Sequence, residues 1–71
     1  MNAETTTIVL GVLQEHNRIH KNSVNWDEHD GFIRIWTNSD GFCDDFIINK
    51  LCGICTISFH WNGERVVMWV I

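Results

Sequence analysis

Any chemistry this chain performs would have to come from its cysteines, histidines, serines and carboxylates. Cys52-Gly53-Ile54-Cys55 is a CxxC, and with Cys43 and His60 it offers four ligands of the kinds zinc takes. The spacing matches no standard finger or ribbon, and there is no second CxxC. Cys55 alternates with Ile57 and Phe59, an apolar series, and a buried free cysteine packs as a small hydrophobe. A redox CxxC of the thioredoxin type should open a helix, which lowers the first thiol's pKa. This one is expected to follow a helix and enter a strand.

His16 and His20 are one helical turn apart, the spacing of a helical metal pair. The run is HNRIH, without the glutamate of HExxH, and both are expected as solvated histidines near a helix C-terminus. His29, Asp27 and Asp30 would complete a site only if the fold brought them over. Ser23, Ser39 and Ser58 sit in no GxSxG elbow, and no Gly-rich phosphate loop occurs. Asp44 and Asp45 are adjacent, so on a helix they point in different directions. The reading is of a protein that is not an enzyme and holds no metal or cofactor.

Two patterns point instead to binding. Asp27, Glu28, Asp30, Asp40, Asp44 and Asp45 account for six of the nine acidic residues, opposed nearby only by Arg34. They are expected to make an acidic surface, in one patch or two, that docks on a basic surface of a partner. Trp36 falls on the strand face of Phe32 and Arg34, and Trp69 on the face of Val67. If helices cover one side of the sheet, both tryptophans share the other, as the start of an interface core.

The totals bound the rest. Seventy-one residues make one small domain, whose core yields a few kcal/mol. The 45% apolar content is too high for a disordered chain. A net charge of −4 opposes sequence-independent nucleic-acid binding, which needs cations to displace counterions from phosphate. Three cysteines, an odd count, and an N-terminus without a basic signal region give a cytosolic reading with reduced thiols. The apolar run 8–13 is too short to span a bilayer. The opening Met and absence of a tag read as a complete small reading frame.

These residues need positioning elements. Ile8, Val9, Val12, Leu13, His16 and Ile19 recur at helical spacing over 5–21, with Thr5 or Thr6 as N-cap and Asn22 as a left-handed C′ residue. Val24 and Trp26 begin a short strand, 27–31 reads as an acidic loop, and 32–37 as a second strand. Residues 41–51 favour a helix capped by Ser39 or Asp40, with Phe42 beside Phe46 and Cys43 beside Ile47 and Leu51. A strand there would place Asp44 between Phe42 and Phe46 on one face, a poor pattern.

The C-terminal run carries Asn62-Gly63, the strongest short hairpin signal. A type I′ turn pairs Trp61 with Glu64, Phe59 with Val66, Ile57 with Met68 and Cys55 with Val70, making that face core. The expected fold is α+β in the order α-β-β-α-β-β, a four-stranded antiparallel sheet with helices on one face. The alternative is one helix with a five-stranded meander. The last strand, 65–71, is long and apolar; as an edge it would need a cover, which predicts a homodimer.

The leading functional expectation is a small acidic cytosolic protein that binds another protein and blocks it sterically. In size and charge it is analogous to phage and mobile-element inhibitors such as anti-CRISPR and anti-restriction proteins. The alternatives are a zinc domain using Cys43, Cys52, Cys55 and His60, and a nucleic-acid regulator using Trp36, Trp69, Arg34 and Arg65.

Overall fold

A computed structural model describes residues 1–21, 23–38 and 44–71. Helix α1 runs Ala3–His20, longer at its start than the apolar spacing predicts. Its N-cap is Asn2 rather than Thr5 or Thr6; the Asn2 side chain accepts the Thr5 N–H at 2.8 Å. Thr6 and Thr7 donate their hydroxyls back to Asn2 O and Ala3 O, which seats the threonine run in the first turns. Lys21 takes the left-handed cap conformation with φ 55. The role expected of Asn22 lies outside the described residues.

The helix buries Val9, Leu13 and His16. Ile8 and Ile19, placed on the same stripe by spacing, are exposed. Asn17 ties the helix to the sheet. Its Nδ2 donates to Val24 O at 2.8 Å and its Oδ1 accepts from Val24 N at 2.9 Å, as a neighbouring strand would.

Strand β1 is Val24–His29 and β2 is Phe32–Thr37, paired from Val24↔Thr37 to His29↔Phe32. Asp27, Glu28 and His29 are therefore strand residues, not loop. Asp30 and Gly31 alone make the turn, because Gly31 supplies a positive φ of 89. Helix α2 is Asp45–Cys52, later than the 41–51 expected, and its N-cap is Asp44. The proposed caps Ser39 and Asp40, with Phe42 and Cys43, lie outside the described residues.

Strands β3 (Ile57–Trp61) and β4 (Val66–Val70) form the C-terminal hairpin. Its register differs from a two-residue turn: Trp61 pairs Val66, Phe59 pairs Met68 and Ile57 pairs Val70. Asn62 does not take a positive φ; Gly63 does, at 98. Asn62 Oδ1 instead accepts the N–H groups of Glu64 and Arg65, both at 2.9 Å. An Asx turn thus opens a four-residue loop. The slip is two residues, and because side chains alternate with period two, every residue keeps its predicted face.

The sheet is antiparallel with order β1-β2-β4-β3. The last strand is therefore interior, flanked by β2 and β3, and not the edge expected. Helices cover one face. Val9 and Leu13 of α1 and Ile47 and Leu51 of α2 pack with Val24, Ile33, Ile35, Met68 and Val70. Each such burial is worth about 1.5–3 kcal/mol before chain entropy is charged against it. Phe59 and Trp61 point to the helix side yet are exposed, Trp61 by 66%, so they are not core. They ride on β3, the strand farthest from β1, against which α1 packs.

Candidate protein-binding face

The face without helices carries Asn25, Asp27 and His29 of β1, Phe32, Arg34 and Trp36 of β2, Val67 and Trp69 of β4, and Ser58 and His60 of β3. Trp36, Trp69, Arg34 and Val67, predicted from alternation to lie together, do share it. Val67 is only 5% exposed, so it offers little area to a flat partner surface. It lies in a hollow of about 310 Å³ bounded by Trp36, Arg34 and Arg65.

Sequence reasoning did not find the organising feature of this face. His29 stacks on Phe32 at 4.7 Å between ring centroids and 9° between planes. Phe32 stacks on Trp69 at 4.6 Å and 17°. His60 meets the other side of the row, 4.4 Å from Trp69 at 38°. These spacings match the interstrand distance of about 4.7–4.9 Å, so the rings form a ladder across all four strands. Phe32 and Trp69 have ring neighbours on both sides. Phe32 is stacked between its two neighbours, and Trp69 is stacked on one side and met at a tilt on the other, so their ring faces are engaged inside the ladder. The signal for it was Phe32, His29 and His60 alternating in phase with the tryptophans, but the contact of Trp69 with both Phe32 and His60 required the true register.

Polar groups surround the ladder. Arg34, cross-strand from both Asp27 and Trp69, donates from Nη2 to Asp27 Oδ2 at 2.6 Å. His29 Nε2 is 4.0 Å from the same oxygen. His60 Nε2 and Ser58 Oγ are hydrogen-bonded at 2.9 Å. Arg65 reaches Thr37 O from Nη1 at 3.4 Å.

Among the described residues, the acidic side chains do not assemble on this face; Asp40 lies outside them. Asp27 is engaged by Arg34, Glu28 points to the helix side, and Asp30 is in the β1–β2 turn. Asp45 is exposed in the first turn of α2. Asp44 is used internally: Oδ1 caps Ile47 N at 3.1 Å and Oδ2 meets His16 Nε2 at 2.9 Å. His16 is 3% exposed, so it is not the solvated histidine expected. Its burial follows from phase, since it continues the Val9–Leu13 row.

Nor do the zinc candidates among the described residues converge. Cys55 packs beside the core, while His60, by alternation from Ile57, is on the opposite face. Cys52 is exposed, and Cys43 lies outside the described residues. Among the described residues, no three His, Cys, Asp or Glu side chains are grouped to hold a metal. Burial pushes the Cys55 thiol above its ordinary value, away from the thiolate a metal or redox centre uses. No described helix is long and apolar enough to cross a membrane. The fold and face define an α+β domain with an open sheet side. Compared with known families, curated proteins and solved structures, the chain matches none.

Proposed function

We propose that the chain is a protein-binding module without catalytic activity, an inhibitor or regulator that occludes a surface of its partner with the helix-free face of its sheet. One observation supports this most. The His29–Phe32–Trp69–His60 ladder is an aromatic row with no cover from the helices, rimmed by Arg34, Ser58 and Arg65. Apolar centre and polar rim are the anatomy of a protein interface.

The ladder also weighs against the nucleic-acid alternative. Base-stacking platforms need open ring faces. Here the faces of Phe32 and Trp69 are occupied, and the net charge is −4. Ring edges, which carry the positive part of the quadrupole, suit edge-to-face packing with a partner's side chains. A basic partner surface has less support than the charge alone gave it, since the acids among the described residues are dispersed. Cys52 and Cys55 are free thiols, in keeping with a reducing, cytosolic setting. The phage and mobile-element inhibitors remain an analogy of size and charge. Self-association is proposed through the β3 edge, with Trp61 beside it; a monomer at micromolar concentration in sedimentation would rule that out.

The test is capture of the partner from source-cell extract by immobilised wild type, Trp69→Phe and Trp69→Ser. Each variant is first checked for native circular dichroism. The reading expects a specific protein retained by wild type and Trp69→Phe and lost with Trp69→Ser. Equal retention by all three would remove the face from the mechanism.

A further inference from the structure

The hollow beside the ladder has an unusual donor inventory. A guanidinium carries five N–H donors in a rigid fork. Arg34 has one short ion pair, to Asp27, and its Nε is buried with no acceptor among the described residues. Among the described residues Arg65 has one long hydrogen bond, at 3.4 Å, to a backbone carbonyl. Two guanidinium groups thus border one space of about 310 Å³, and among the described residues their terminal N–H groups make only these two contacts. Trp36 and the nearly buried Val67 give the same space an apolar wall.

We propose that this hollow is an acidic side-chain pocket. It takes a glutamate or aspartate from the partner's docked segment, with the carboxylate between Arg34 and Arg65 and its methylene stem against Trp36 and Val67. The inference rests on the protein-binding reading of the face. Forked donors match a planar carboxylate and hold it with charge-assisted bonds. A phosphate fits less well. Asp27 and Glu64 border the same space, so it is neutral when empty, and a second negative charge would enter a chain already at −4. Glu64 does not occupy the arginines itself: among the described residues it forms no ion pair with either.

The probe is the blocked peptide acetyl-Leu-Glu-Leu-amide, titrated into ¹⁵N-labelled full-length chain and followed at the Trp36 indole N–H and the Arg Nε–H signals. Saturable shifts at millimolar peptide are expected. The Gln counterpart should bind about tenfold more weakly, as should the glutamate peptide to Arg65→Gln, the loss of one charge-assisted contact. Inorganic phosphate should not saturate the same signals. Equal binding of the Glu and Gln peptides, no saturable shift, no effect of Arg65→Gln, or tighter phosphate binding would each overturn the proposal. Partner capture separates the two readings. If Trp69→Ser abolishes capture while Arg65→Gln leaves it unchanged, the face stands and the pocket falls. If neither variant reduces capture, both fall.

Discussion

The imidazole of His16 and the carboxylate of Asp44 meet at 2.9 Å, and through that contact α1 holds the start of α2. The other carboxylate oxygen caps Ile47 N. One side chain therefore caps the start of an eight-residue helix and docks it, which matters because so short a helix is not stable alone.

Asp44→Ala should lose the cap, about 1 kcal/mol, and strand a buried imidazole, a further 1–3 kcal/mol or so. Urea unfolding should show the sum. His16→Leu leaves the cap in place and substitutes an apolar side chain in an apolar row, so its loss should be under about 1 kcal/mol. A His16→Leu loss as large as that of Asp44→Ala would mean the pair, not the cap, dominates.

Asn17 is the second tie between layers. Asn17→Ala removes both bonds to Val24 and leaves a part-buried strand end unpaired. The expected loss is about 1–3 kcal/mol. Asn17→Asp keeps the acceptor for the Val24 N–H and loses the donor to its carbonyl, so it should fall between wild type and Ala. Amide exchange at Val24 should accelerate in the Ala variant and stay near wild type in the Asp variant.

Legibility followed the range of each signal. Alternation in 32–37 and 66–70 placed Trp36 and Trp69 on one face, and this survived a two-residue error in register because parity is indifferent to it. Which strand is interior was not legible. The β2–β4 pairing of Arg34 with Trp69 spans 35 positions and has no local mark. Exposure of Phe59 and Trp61 depends on where the helices stop, again a tertiary fact. Asp44 read as a residue inside the helix because nothing local tells a cap from the residues after it. His16 read as solvated because its partner lies on another helix.

The Asn62-Gly63 hairpin yields a test that separates the two turn types. In a type I′ turn, Asn62→Gly would be tolerated, since both central residues need positive φ. With Asn62 serving as an Asx acceptor for two N–H groups, Asn62→Gly should cost about 1 kcal/mol and Asn62→Asp almost nothing. Gly63→Ala should cost about 1 kcal/mol because of its φ of 98. Thermal melts of the three variants would decide it, and a stable Asn62→Gly would refute the four-residue loop.

Cys55 supplies the pH prediction. Burial raises its thiol above the ordinary value, with a smaller opposing pull from the N-terminal charge. Its thiolate fraction at any pH below that value is reduced, so iodoacetamide should modify exposed Cys52 before Cys55 near neutral pH, as read by peptide mass mapping. The sign for stability follows from linkage. A group whose folded-state pKa is raised contributes fully below its unfolded pKa, about 8.5 for a thiol, and loses that contribution as pH climbs through the folded value. Unfolding free energy should therefore decline on the alkaline side, and Cys55→Ala should flatten that decline. An unchanged alkaline slope in Cys55→Ala would assign it to another group.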